Sequence, residues 1–146
     1  EEELRTVYKL YENVYEKSYM FNVLKLPFEY FEHMCNSKSY DVIKLYLKNS
    51  KNEDNFKLVG VMFSHVRKNH YDAMIVGLDY EYVYEYNCYK QILFQTVLRA
   101  KKLNCKKLDL AFTAELEKKK LGAKAIDVFA YVQSSEHLKG SILEFI

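Results

Sequence analysis

Apolar and polar residues recur along the chain with two different periods, and the switches between them divide it into elements. From Glu2 to Tyr19 the inward positions Leu4, Val7, Tyr8, Tyr11, Val14, Tyr15 and Ser18 come at three- and four-residue intervals, while Glu3, Arg5, Lys9, Glu12, Glu16 and Lys17 fill the other side. That spacing predicts a surface helix. Pro27 suits the first turn of a second helix, PFEYFEHMCN, with Phe28, Phe31, Met34 and Cys35 facing inward. The period then shortens to two. YDVIKLYLK from Tyr40 to Lys48 and FKLVGVMFSHV from Phe56 to Val66, separated by the polar run NSKNEDN, predict a β-hairpin. After RKNH a third strand runs from Tyr71 to Asp79, apolar almost without a break from Ala73 to Leu78, as in a central strand buried on both faces.

Between Tyr80 and Tyr89 stand five tyrosines and no glycine. Asn87 is positioned to cap a long helix whose stripe is Tyr89, Ile92, Leu93, Thr96, Val97, Ala100 and Leu103. KKLDLAF reads as a short strand. TAELEKKKLGA reads as a helix capped by Thr113, with Glu115 and Glu117 in the first turn, lysines in the last and a stop at Gly122. Ala125 to Gln133 reads as a further strand, and the tail SSEHLKGSILEFI fits either a short helix or an edge strand. The strand, helix, strand unit from 71 to 110 requires two parallel strands joined by a right-handed crossover. The whole is an α+β, three-layer fold: a mixed sheet, an antiparallel meander followed by a parallel pair, with helices on both faces.

Composition narrows the class without choosing a partner. The 146 residues are 49% apolar and 29% charged, with one proline and four glycines, which argues for one globular domain over residues 1–146 and against disordered, collagenous or low-complexity chains. The acidic EEEL start is the reverse of a signal peptide's basic start, while the missing initiating methionine and the abrupt end at Ile146 are what a domain excised from a longer parent chain would show. Net charge is +2, from 22 basic and 20 acidic residues, so no global field points to nucleic acid or an anionic membrane. No apolar run approaches the roughly 20 residues of a membrane span. Cys35, Cys88 and Cys105 form no CxxC pair, and their odd number fits a reducing cytoplasm better than a disulfide framework. His33, His65, His70 and His137 show no metal-ligand spacing, so no metal is expected.

The strongest candidate chemistry lies where the central strand feeds the long helix. Asn87 with the amides of Cys88, Tyr89 and Lys90 offers a phosphate or carboxylate the unpaired donors and positive dipole end of a helix. Lys90 in the first turn opposes that dipole, a conflict a bound anion would remove. A plain cap is the competing explanation. Cys88 at a helix start has the position of an activated thiol, although no histidine stands at a recognisable spacing. The lysine run EKKKLGAK could meet a phosphate, a nucleotide-linked substrate or tRNA, or be a solvated face. The RNP and KH signatures of RNA-binding domains are absent.

The order helix, helix, three strands, helix, strand, helix, strand resembles the general N-acetyltransferase (GNAT) superfamily over nearly the whole chain. The superfamily's usual coenzyme A loop, an Arg/Gln-x-x-Gly-x-Gly/Ala run ahead of the long helix, is absent, and VYEYNCYKQ stands in its place. Without glycine the backbone cannot approach a pyrophosphate in the same way. A nearer likeness is to the Fem-type aminoacyltransferase and peptidoglycan biosynthesis-recognition branch. It rests on Tyr89 to Ile92, on LDLAFT from Leu108 to Thr113, and on Lys118 leading to Leu121-Gly122-Ala123. That strand often ends in glycine in the branch, and here ends in Ala111.

The resemblance implies an acyltransferase that moves an acetyl or aminoacyl group directly to a small-molecule or peptide amine. Acetyl-coenzyme A or another acyl-coenzyme A is a possible donor that the sequence does not require, and Lys118 would bind an anionic group. Such transfer needs a proton acceptor and a donor, for which the candidates are Asp79 and Glu85 near the strand's end, with Glu81 beside them, and Tyr131, Tyr80 or Tyr86. The competing class is a non-catalytic recognition module of the same fold that has lost its pyrophosphate loop.

Overall fold

The computed structural model describes residues 1–18, 24–48 and 56–129 of the chain. In order come α1 (Glu2–Lys17), α2 (Phe28–Asn36), β1 (Tyr40–Lys48), β2 (Phe56–Arg67), β3 (His70–Leu78), the single turn α3 (Tyr80–Val83), α4 (Cys88–Lys102), β4 (Lys107–Asp109) and α5 (Glu115–Lys120). The strands form one sheet in the order β1-β2-β3-β4, antiparallel from β1 to β3 and parallel between β3 and β4. This is the mixed sheet that the periodicity predicts. Residues 125–129 carry no strand pairing, contrary to expectation. The rest of that expected strand and the tail fall outside the described residues.

Helices cover both faces because the inward residues of β2 divide between them. Val7, Leu10 and Tyr11 of α1 and Phe31 and Met34 of α2 pack with Leu58, Val61 and Phe63. On the other face Ile92 and Leu93 of α4 close on Met62 and Ala73. The stripe of α2 is narrower than its sequence implies: Phe28 is half-buried and Cys35 exposed, since this short helix meets the sheet only along the Phe31–Met34 edge. Gly77 lets the α1 backbone lie directly on β3, its position for a Cβ being 2.7 Å from the Tyr11 amide nitrogen.

Local signals end the elements. Lys68 takes the positive φ of 41° in the tight β2–β3 turn. Asn104, at φ 56°, ends α4 in the left-handed conformation that asparagine tolerates. The amides of Lys106 and Lys107 then reach the Asn69 carbonyl and bring the chain back beside the start of β3. Gly122, at φ 86°, stops α5 as expected, with the Ala123 amide on the Lys118 carbonyl and the Gly122 amide on that of Lys119.

One polar cluster clamps α4 to the sheet. Asp41 of β1 accepts two hydrogen bonds from the Arg99 guanidinium, both at 2.8 Å, and one from the fully buried Tyr71 hydroxyl at 2.7 Å. The Arg99 guanidinium, with a smaller effect from the Tyr71 hydroxyl, holds the Asp41 carboxyl below its usual range, while burial pushes the Tyr71 phenol up.

Candidate functional site

β4 pairs with β3 only through His70 with Lys107, Tyr71 with Leu108 and Asp72 with Asp109. β3 runs on to Leu78, so from Ala73 its outer edge has no strand partner among the described residues. Two features part the strands. Met74 is an extra residue opposite the Phe63–Ser64 step of β2, a bulge that bends and twists β3 where β4 ends. Beyond β4, Ala111, Thr113 and Ala114 adopt left-handed φ values of 57°, 61° and 48°, which carry the chain out of the sheet. The result is a wedge of about 200 Å³ lined chiefly by Met62, Ala73, Met74 and Val76 from the sheet, Tyr89 and Leu93 from α4, and Leu110 to Thr113 with Lys118 from the outer wall.

Lys118 holds that outer wall together. It is buried, and its ammonium donates to the carbonyl of Ala111 at 3.0 Å and to that of Phe112. Burial pushes its pKa down, partly opposed by the Asp109 carboxylate. Asp109 also accepts the Ala111 amide at 2.7 Å. The ammonium thus satisfies a turn whose residues lack the glycine such φ values favour.

The start of α4 borders the wedge through Tyr89. Asn87 stands at the cap position, but it serves there through its backbone: φ is 51°, and the side chain makes no cap hydrogen bond. The intrahelical ladder opens with the Gln91 amide on the Asn87 carbonyl at 3.0 Å, which leaves the amides of Cys88, Tyr89 and Lys90 ahead of it. Cys88 is buried, donates its thiol to the Tyr82 carbonyl at 3.3 Å, and has its pKa pushed up by burial. A thiol in that state is a packing group, not a thiolate nucleophile. Tyr89 is half-buried, and burial followed by the Glu117 carboxylate raises its phenol pKa. Lys90 is exposed, 3.9 Å from Glu117.

The carboxylates lie elsewhere. Asp79 follows β3 directly and caps α3 by accepting the Glu81 amide at 3.2 Å; its other oxygen faces the Lys57 ammonium at 3.1 Å. It lines a second groove, of about 510 Å³, between α1 and the ends of β1 and β2, together with Glu2, Glu3, Asn13, Tyr46 and Lys57. Glu85 is exposed on the tyrosine segment and accepts from the Tyr86 hydroxyl, raising that phenol's pKa. Tyr131 lies outside the described residues. Of the residues singled out in the sequence, the structure therefore brings Tyr89 and Lys118 together, sets Asn87, Cys88 and Lys90 beside them, and places Asp79 in the other groove. Met74 and Val76 were not legible as site residues; the outer wall was signalled by the LDLAFT run and by Lys118, although not by its role as a donor to the wall's carbonyls. Among the described residues no group of three or more His, Cys, Asp or Glu side chains is placed to hold a metal, and no helix is long and apolar enough to cross a membrane.

A sheet that is antiparallel up to β3, then parallel and splayed, with one long helix crossing over, defines the GNAT acetyltransferase fold, and solved structures share it. An aminoglycoside acetyltransferase, meta-AAC0020 from an uncultured soil metagenomic sample, matches 92% of this chain over 90% of its own, with a TM-score of 0.62 and 17% identity. A transcriptional regulator from Bacillus halodurans matches 90% over 92%, with a TM-score of 0.58 and 16% identity. YycN of Bacillus subtilis, a candidate acetyltransferase, matches 92% over 92%, with a TM-score of 0.54 and 16% identity. At these identities the likeness is one of fold. No family model and no curated protein matches the sequence.

Proposed function

We propose that the chain is an N-acyltransferase that transfers an acyl group from a pantetheine thioester directly to an amine. The observation that carries this reading is the wedge. An open strand edge offers amide and carbonyl groups to an extended donor arm, as in strand addition, and the apolar lining of Met74, Val76 and Leu93 suits the arm's methylenes and the acyl group. The arm of acyl-coenzyme A fits this lining. Its diphosphate finds no glycine-built cradle, so no step is drawn through the nucleotide. The acetyltransferases of this fold favour a thioester donor over the aminoacyl donor of the Fem-type likeness.

In the reaction the amine nitrogen attacks the thioester carbonyl, a C–N bond forms, the C–S bond breaks, and the thiolate leaves. Tyr89 lines the wedge with a phenol kept protonated by burial, so it acts as the acid that gives the thiolate a proton. The acceptor's cationic end is held from the α1 side, where Glu2, Glu3 and Asp79 provide carboxylates, and the attacking nitrogen gives up its proton to water. Asn87, Cys88 and Lys90 border the donor's path through their backbone amides.

A second reading, a recognition module without catalysis, is favoured by the absence of any carboxylate or histidine among the described residues of the wedge. Incubation with S-acetyl thioesters and a panel of amines, followed by mass spectrometry of the products, tests the two. The enzyme forms amides, and Tyr89→Phe lowers kcat by about 10- to 100-fold with little change in KM. A folded chain that transfers nothing from any thioester, while binding a partner unaffected by Tyr89→Phe, is a module.

A further inference from the structure

The chain-wide charge of +2 conceals a separation of sign. We propose that the end of the sheet formed by the β2–β3 turn and the α4–β4 connection binds the phosphate backbone of nucleic acid without reading its sequence. Folding builds this basic end from stretches far apart in the chain. The Asn69 carbonyl, in the β2–β3 turn, accepts the amides of Lys106 and Lys107 at 2.7 and 3.0 Å, which sets Lys68 beside both lysines. Lys107 pairs with His70, and His70 in turn with Arg67. The connection leaving α4 is tight, with the Cys105 amide on the Ala100 carbonyl and the Asn104 amide on that of Lys101, both at 3.0 Å, so Lys101 and Lys102 stand at the same end. All six cations are exposed.

Carboxylates are few here, and each is engaged. Asp72 holds Arg67 at 2.6 Å, Asp41 holds Arg99 at 2.8 Å, and Asp109 accepts the Ala111 amide. Over residues 67–72 and 99–109, with Asp41 included, seven cations face three carboxylates, a local net of +4. Elsewhere lysines are paired, Lys25, Lys44 and Lys119 each at 2.6 Å from a carboxylate. Among the described residues Lys68, Lys101, Lys102, Lys106 and Lys107 have no such partner. The α4 dipole accounts for Lys101 and Lys102 in the helix's last turn, but Lys68, Lys106 and Lys107 belong to no helix. Crowded like charges repel one another, and a polyanion relieves that repulsion.

The surroundings select the polyanion. Asn69 and Asn104 are exposed among the lysines and bring side-chain amides of the kind that join them on phosphate oxygens. Leu103, 37% exposed, is the one large apolar side chain exposed in these two stretches, too little to anchor a lipid surface. No exposed aromatic ring stands there to stack on bases, so the contact is with the backbone. This end adjoins the part of β3 and β4 that is still paired, and a nucleic acid bound to it leaves the opening beyond Ala73 uncovered.

The test adds the chain to fluorescently labelled DNA and RNA duplexes of roughly 20 base pairs, and follows anisotropy at about 50, 100 and 200 mM potassium chloride. With about four or five phosphates engaged, duplex affinity should fall by about 150- to 500-fold from the lowest to the highest salt, and by nearly the same factor for different base sequences. Lys106→Gln with Lys107→Gln should weaken binding about 10- to 100-fold at the middle concentration and flatten the salt dependence. Lys119→Gln with Lys120→Gln makes the same change of charge on α5, at a distance where salt screens it, and should weaken binding by less than about threefold. Equal weakening by the two double variants overturns the proposal. So does discrimination of more than about thirtyfold between duplexes of different sequence. No binding to either duplex at the lowest salt, even by a chain that sediments with phosphatidylglycerol vesicles, also overturns it. A preference for RNA or for DNA assigns the partner, and either result upholds backbone binding.

Discussion

Replacing Gly77 with alanine should loosen α1 from the central strand. A Cβ at Gly77 would stand 2.7 Å from the Tyr11 amide nitrogen, 2.8 Å from the Leu10 carbonyl carbon and 2.8 Å from Val61 Cγ1, whereas ordinary contacts begin at 3.4 Å. Relief therefore requires the α1 backbone to recoil by about 0.7 Å, the difference between 3.4 and 2.7 Å. The helix is poorly free to do so. Val7, Leu10 and Tyr11 are buried beneath it, the Tyr11 hydroxyl accepts the Leu26 amide at 2.9 Å, and Asn13 donates to the Leu78 carbonyl at 3.1 Å. Overpacking costs about 1–3 kcal/mol, and partial loss of these contacts brings the expected destabilisation to about 2–4 kcal/mol. Against a typical total of roughly 5–15 kcal/mol that is a large share. Gly60→Ala is the control: its Cβ would meet Leu45 Cβ at 3.4 Å and Ile92 Cδ1 at 3.5 Å. The control should change stability by less than about 0.5 kcal/mol. Urea unfolding followed by far-ultraviolet circular dichroism, with the m-value checked for constancy, measures both. Equal midpoints for the two variants would refute the close contact between α1 and β3.

Asp41→Asn should cost about 1–2 kcal/mol at neutral pH, because a partly exposed bidentate pair is screened while the Tyr71 hydroxyl keeps an acceptor. Since the folded carboxyl titrates below its unfolded value, its contribution is complete above about pH 4 and fades as pH falls through the folded value. The variant's stability should therefore vary less with pH below about 4, as read from denaturant midpoints. Ala111→Gly should stabilise by about 0.5–1 kcal/mol, because a left-handed φ strains alanine more than glycine loses in the unfolded chain; an unchanged midpoint would count against the strain. Lys118→Met should destabilise by about 1–3 kcal/mol by stripping two carbonyls of their donor, and hydrogen exchange should quicken first around 111–114. Met74→Trp, at a half-exposed position in the wedge, should abolish binding of S-acetylpantetheine while the unfolding midpoint stays unchanged, measured on one sample by calorimetry and circular dichroism.

Where local chemistry sets the outcome, the fold is readable directly. β1 coincides with its predicted bounds, Tyr40–Lys48, because period-two alternation is interrupted there by polar residues on both sides. α5 carries its expected charges and stops at Gly122, but its N-cap is Ala114 in the left-handed conformation and not Thr113, which itself takes a φ of 61° and so cannot cap. The site was less legible. The run from Ala73 to Leu78 has the pattern of a strand buried on both faces, yet Met74 bulges and stays half-exposed, since the pattern records hydrophobicity and not whether a neighbouring strand is present. Asn87 has the identity of a side-chain cap and serves instead as a left-handed backbone joint. Lys118 belongs to a run of three lysines, and no local property separates the buried one from its exposed neighbours.

By itself the sequence determined the alternation of helices and strands, the meander, and the parallel return to β4, because these follow from periodicity, turn residues and the chain lengths between them. Only the tertiary structure decided that β3 and β4 part after three pairs, that Lys118 turns inward to hold the wall of the opening, and that Asp79 faces a different groove. Those outcomes depend on how far one strand's pairing extends and on which buried carbonyls lack donors. Both are properties of the assembled sheet, which no window along the chain contains.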